Sequence, residues 1–228
     1  MIIYVDLEHE RVQKTEQWQE SFAKRLKVKY RLEDLSGEPC LIVRYKHMTP
    51  ELVRELHPRA VLISGCATEI DYYAEKDLSG LRQIMCEPAQ PTLGFCGGEQ
   101  LMAQTFGIEI APMGKLGADV DDPYPGWDYA QGMAREFGFT PVRVLAPHPL
   151  LEGLGPAPLM FEAHYWEAKA VPSGFRLHAS TELCGVQMIT HENKPLYATQ
   201  FHPEQWDDEH PDGRTFLQNF FRLAGITS

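Results

Sequence analysis

Short apolar runs alternate with longer amphipathic stretches through the first half of the chain. Ile2–Val5, Cys40–Val43, Val61–Ser64 and Thr92–Phe95 read as buried strands. Between them, Thr15–Leu26 and Leu78–Cys86 carry helical patterns. A further helix begins at Thr49-Pro50-Glu51-Leu52, with Thr49 as N-cap and Pro50 in the first turn. Strand and helix in alternation predict an α/β fold: a mostly parallel, flavodoxin-like sheet with helices on both faces. In such sheets ligands bind at the carboxyl ends of the strands, which here are Ser64-Gly65 and the residue after Phe95.

The pattern changes in the second half. Val142–Val144, Leu159–Phe161, Phe175–Leu177, Val186–Met188 and Leu196–Gln200 are strand-like, closely spaced and separated by turn signals. This predicts a smaller antiparallel part. A last helix, Arg214–Ala224, puts Leu217, Phe220, Phe221 and Ala224 on one stripe. Residues 116–139 are the least regular, with Asp119, Asp121, Asp122, Tyr124, Trp127 and Tyr129 among glycines and prolines. They read as a surface loop with packed aromatics, with a lid or partner-facing loop as the alternative. No repeat or linker interrupts the chain, so residues 1–228 are expected to form one domain.

Charge and cysteine usage narrow the partners. The 228 residues carry a formal charge of −11, with a pI near 5.3, which argues against nucleic acid and anionic membranes. Five cysteines without a C-x-x-C pair point away from a zinc motif or a disulfide framework and towards a reducing cytoplasm. The start, Met1–Asp6, does not read as a signal peptide, and no apolar run is long enough to span a bilayer.

Candidate chemistry concentrates in two places. Gly94-Phe95-Cys96-Gly97-Gly98 turns a strand abruptly into a helix and leaves a thiol on the corner. Glycines permit such a corner, and the helix N-terminus favours thiolate, the nucleophilic form. Far downstream, Phe201-His202-Pro203-Glu204 follows the last strand. In extended backbone His202 and Glu204 point to one side, so an imidazole and a carboxylate can converge. Cys96 is then the candidate nucleophile, His202 its base and Glu204 the group that orients the base. The amide of Gly97, just past the thiol, is one oxyanion donor.

Together, Gly94–Gln100 and Gln200–Glu204, with Leu62–Gly65 and the C-terminal helix region Asp212–Gly225, make the chain resemble the class I glutamine amidotransferases, in particular members that stand alone as the amidotransferase domain. The resemblance implies that Cys96 attacks the γ-carboxamide of glutamine, forms a γ-glutamyl thioester and releases ammonia to a synthase subunit. It maps a second oxyanion donor onto Gly65-Cys66, with Cys66 supplying the amide, and it assigns substrate contacts to Gly65, Gln100 and the loop holding His164. No metal or organic cofactor is required by that chemistry. Three residues depart from the family pattern: Cys66 stands where a glycine is usual, Glu99 where histidine is common, and Ala163 where a serine often precedes the loop histidine. Those departures keep open a stand-alone hydrolase of a γ-glutamyl amine or peptide. A non-catalytic module on the same fold is the third option. His9, just after the first strand, is a candidate for the site mouth.

Overall fold

The computed structural model describes residues 1–16, 18–117, 119–122 and 130–228. Its centre is an eight-stranded sheet. The strands are β1 (Ile2–Asp6), β2 (Cys40–Arg44), β3 (Val61–Ile63), β4 (Thr92–Phe95), β7 (Arg143–Val144), β10 (Phe175–Ser180), β11 (Met188–His191) and β12 (Leu196–Thr199). Their order is β2-β1-β3-β4-β12-β11-β10-β7. From β2 to β12 neighbours run parallel; β12, β11, β10 and β7 pair antiparallel. Two strand pairs stand outside this sheet: β5 (Ile110–Pro112) with β9 (Trp166–Ala168), and β6 (Glu136–Pro141) with β8 (Leu159–His164).

Alternation along the parallel strands divides the core. Ile3, Val5, Val61, Ile63 and Ala198 face one side, where they pack with Val53 of α2 (Pro50–Leu56), Leu78, Leu81, Ile84 and Met85 of α3 (Glu75–Cys86), and Leu101–Ala103 of α4 (Gly97–Thr105). Ile2, Tyr4, Leu62, Leu93 and Phe95 face the other, against Val28 and Leu32 of α1 (Trp18–Ser36) and Phe216, Leu217, Phe220 and Phe221 of α5 (Asp212–Leu223). A parallel sheet carries its hydrophobic residues on both faces because helices cover both. The sequence expectation of mostly parallel strands with helices on either side is therefore met.

Local expectations fare unevenly. Thr49 caps α2, its hydroxyl accepting from the Leu52 amide at 3.2 Å. Helix α1 continues well beyond the predicted Leu26, because Val28, Leu32 and Ser36 continue a thin buried stripe at helical spacing. Val142 lies between β6 and β7, and β11 begins only at Met188. Residues 116–139 hold part of strand β6, not loop alone: Glu136–Pro141 pairs along its whole length with β8. Upstream of β6, Arg135 closes the segment with a 2.6 Å ion pair to Asp122 and a 2.6 Å hydrogen bond to the Ala130 carbonyl. Tyr124, Trp127 and Tyr129 lie outside the described residues. Among the described residues no helix is long and apolar enough to cross a membrane.

Candidate active site

The carboxyl ends of β3, β4 and β12 meet at one edge. Pairing sets Ile63 opposite Gly94, and Thr199 opposite Phe95, so Cys96 emerges between Ser64-Gly65 and Gln200. Cys96 donates its amide to Thr199 O at 2.7 Å, and its carbonyl accepts from the Gln100 amide at 2.9 Å as α4 begins. Its backbone sits at φ 47°, ψ −106°. A side-chain-bearing residue adopts that region only under strain, and the surrounding packing holds it there. The adjacent glycines are sterically required. A Cβ on Gly94 would lie 2.7 Å from the Gly98 carbonyl, and one on Gly98 would lie 2.6 Å from Ile63 O.

His202 reaches this corner from the loop after β12. Its amide donates to Phe161 O of β8 at 2.8 Å. Its Nδ1 is 2.7 Å from Glu204 Oε1. Glu204 is buried, and its other oxygen has no hydrogen-bond partner among the described residues. The loop is tied from behind by Arg31 of α1, which donates to Glu204 O at 2.8 Å and Trp206 O at 2.7 Å, and whose guanidinium lies 4.0 Å over the Trp206 ring. Burial works against a charged imidazole, yet the negative charges of Glu204 and the Cys96 sulfur, together with hydrogen bonds to both, hold His202 well above its ordinary range.

Gly65 shows how tightly the two halves meet. A Cβ there would come within 2.8 Å of His202 Cε1 and 3.3 Å of Cys96 Cβ. The backbone of the β3 loop thus passes directly beside both groups. That loop is held by the amino-terminal side of the molecule: the Leu7 amide donates to Ser64 Oγ at 2.9 Å, and the Ala67 amide donates to Glu8 Oε2 at 3.1 Å. Glu8 is held by Arg25 at 3.4 Å, which also pairs with Asp6 at 2.9 Å. Nothing in the sequence singled out Asp6, Glu8 or Arg25; only the strand order brings them behind the loop.

The two expected oxyanion amides adjoin. A Cβ on Gly97 would lie 3.0 Å from Cys66 N and 2.5 Å from Cys66 Sγ. The Cys66 thiol turns back to the carbonyl of Thr68 at 3.2 Å, and burial beside Glu8 pushes it well up, so it stays protonated. The side chain that stands where the family usually has glycine is thus directed over Gly97. Gln100 sits one turn into α4, its amide nitrogen 2.9 Å from Trp166 O and 3.0 Å from Gln200 Oε1. His164 is 5% exposed, with Nδ1 at 3.0 Å from Trp166 O and Nε2 at 3.0 Å from Glu136 Oε2. The substrate contacts expected of these two side chains therefore compete with contacts they already make inside the protein. His9 caps its own loop, with Nδ1 accepting from the Arg11 amide at 3.1 Å and its ring edge-on to Tyr73.

Glu99 is fully buried, neither oxygen has a hydrogen-bond partner among the described residues, and burial raises it to about 8 despite the opposing charge of His164. It is therefore mostly a neutral carboxyl at pH 7 and brings little charge to the Cys96 corner. Nearer the surface, Glu69, Asp71, Tyr72 and Trp166 line an open cleft of about 340 Å³. Tyr165 donates its hydroxyl to Glu69 at 2.5 Å on the cleft wall.

Comparison with known proteins agrees with this geometry. The family model for class-I glutamine amidotransferases matches residues 27–224. The glutamine-hydrolysing GMP synthase subunit of Methanopyrus kandleri is 36% identical over 192 residues, covering 84% of this chain and 89% of that protein. The corresponding subunit of Thermococcus kodakarensis is 29% identical over 184 residues, with 77% and 80% covered. A crystal structure provisionally described as a GMP synthase subunit from Thermoplasma acidophilum superposes with a TM-score of 0.72 at 27% identity, covering 99% of this chain and 94% of that one.

Proposed function

The chain belongs to the class-I glutamine amidotransferase family, and we propose that it hydrolyses the γ-carboxamide of glutamine through Cys96 and passes the ammonia to a synthase subunit. The observation that carries the reading is the convergence at Gly65: a strained thiol and a carboxylate-backed imidazole flank the same backbone atom. His202 takes the thiol proton, and Cys96 Sγ attacks the carboxamide carbon. The resulting oxyanion is aimed at the Gly97 and Cys66 amides, a preorganised arrangement of the kind worth about 3–4 kcal/mol per donor. When the C–N bond breaks, His202 returns the proton to the departing nitrogen, which leaves as ammonia. Water then attacks the thioester carbon with His202 as base, and glutamate leaves with Sγ restored. Glu204 keeps the imidazole in the required orientation throughout.

The relatives named as GMP synthase subunits support a nucleotide-forming synthase as the acceptor's home. The test is direct: purified chain with glutamine, assayed for glutamate, alone and with a GMP-forming synthase subunit. Turnover that disappears in Cys96→Ala supports the reading; turnover that survives it, or none under either condition, refutes it.

A second reading is a stand-alone γ-glutamyl hydrolase. The acidic and aromatic cleft of Glu69, Asp71, Tyr72 and Trp166 favours it, since carboxylates beside aromatic faces suit a cationic amine leaving group. A kcat/KM for glutamine well above that for every γ-glutamyl amine tried removes this reading.

A further inference from the structure

The loop that carries the base is gripped by one side chain from a distant part of the sequence. Arg31 of α1 donates from Nη1 to the Glu204 carbonyl at 2.8 Å and from Nη2 to the Trp206 carbonyl at 2.7 Å, across 173 and 175 residues. Its guanidinium also lies 4.0 Å over the Trp206 ring.

We propose that Arg31 is a positioning residue for the Cys96 chemistry: its fork fixes the backbone of residues 204–206 and so keeps the Glu204 carboxylate on His202. The inference rests on the glutaminase reading of that site. The first argument is how the rest of the loop is held. The His202 amide is tied to Phe161 O, and the Gln205 amide closes a turn onto His202 O at 3.1 Å. The Pro203 carbonyl rests against Gly213 of α5, where a Cβ would come within 2.6 Å. These contacts secure the upstream half of the loop. The Glu204 and Trp206 carbonyls, on the downstream side, are taken by Arg31.

The second argument is that the Glu204 side chain does not fix its own direction. One oxygen meets His202 Nδ1 at 2.7 Å, and the other has no hydrogen-bond partner among the described residues. The last torsion of a glutamate is soft, so the aim of this carboxylate is set by where its backbone is held. The third argument is the rigidity of the support. Val28 and Leu32 bury a stripe of α1 in the core against which Trp206 also packs. Arg31 stands three residues after Val28 and beside Leu32, so its stem follows that stripe and its head emerges at the loop. The same helix is pinned to the end of β1 by Arg25, paired with Asp6 at 2.9 Å. A lysine at position 31 carries the same charge but no planar fork to span two carbonyls and no flat face to lie on the indole.

The experiment compares Arg31→Lys and Arg31→Ala with the wild type, and uses Lys24→Ala, on the exposed side of the same helix, as the control. Two quantities are read: kcat and KM for glutamine, and the rate at which iodoacetamide alkylates Cys96, followed by mass spectrometry of the Cys96 peptide. We expect kcat to fall about 10–100-fold in both Arg31 variants, with KM within about threefold of wild type. Alkylation at pH 7 should slow by about tenfold, towards the rate of His202→Ala. Lys24→Ala should match the wild type in both. If Arg31→Ala does not fold, Arg31→Lys, which keeps the stem and the charge, decides. Alkylation needs no turnover, so a wild type that ignores glutamine removes the glutaminase reading and leaves the Arg31 comparison standing. An Arg31→Lys chain with kcat and alkylation rate within about twofold of wild type, or a loss confined to KM or to melting temperature, overturns the proposal.

Discussion

Two polar regions sit on either side of α4's first turn, and they are built on opposite principles. At the Cys96 corner the strain is in the backbone, and the His202 imidazole is partnered by Glu204 and the thiol. In the chamber around Glu99, Glu136, Glu162 and His164 the backbone is ordinary; Glu136 and Glu162 share the His164 imidazole, while the Glu99 oxygens find no hydrogen bond among the described residues. Backbone strain can be supported by close packing, which glycines at 94, 98 and 65 make possible. A buried carboxylate cannot be relieved by packing; it takes up a proton or a counter-ion. The first arrangement suits covalent chemistry; in the second, burial raises Glu99, and the Glu136 and Glu162 carboxylates raise His164.

Perturbations should separate the two. The largest effect is expected from Cys96→Ala, which removes the nucleophile and should lower glutamine turnover by at least about 10⁴-fold; circular dichroism and melting should stay near wild type, because the φ of 47° is equally unfavourable for alanine. Glu204→Gln comes next. It leaves the shape intact but disturbs the imidazole's tautomer and charge, with an expected fall in kcat of about 10²–10⁴-fold. A full-rate Glu204→Gln enzyme would remove the triad from the mechanism. Gly65→Ala should follow at about 10²-fold, since a Cβ 2.8 Å from His202 Cε1 displaces either the imidazole or the oxyanion loop. Its loss should appear in kcat rather than in stability.

Glu99→Gln probes the other region and should show little in catalysis. Glu99 is held at about 8 in the folded chain against an ordinary value of 4.5. Between those values the native state binds the extra proton, so the wild type loses stability as pH rises from about 4.5 to about 8. Relative to it, Glu99→Gln should gain stability over that window, by up to roughly 3–5 kcal/mol at its upper end. Melting curves across the range check the sign; a gap that stays constant with pH would show that Glu99 is ionised in the native protein.

The comparison also marks where sequence reading succeeds. The Cys96 corner was legible because its constraints are local: glycines two residues either side of the thiol, and a histidine and glutamate separated by one proline. The parallel half was legible for the same reason, as continuous apolar strands between helical patterns. The second region was not. Its members come from α4, β6 and β8, and Glu136 and His164 stand 28 residues apart with no spacing motif. Strand β6 itself reads Glu-Phe-Gly-Phe-Thr-Pro, whose glycine and proline hide a strand that exists through its pairing with β8. Asp6, Glu8 and Arg25 were equally invisible, since their part is to hold a loop that lies far from them in sequence: Glu8 and Ala67 are 59 residues apart.

The strand order carries a consequence for biogenesis. β12, residues 196–199, inserts between β4 and β11, so the middle of the sheet is the last strand to leave the ribosome. Until then β4 offers an open, hydrophobic hydrogen-bonding edge, a known invitation to unwanted association. The histidine arrives only after that gap is filled, so a partly synthesised chain carries a thiol without its base. Nascent chains halted before residue 196 should therefore be protease-sensitive and inert towards thiol-directed glutamine analogues; resistance or labelling at that stage would show that the edge is closed by other means.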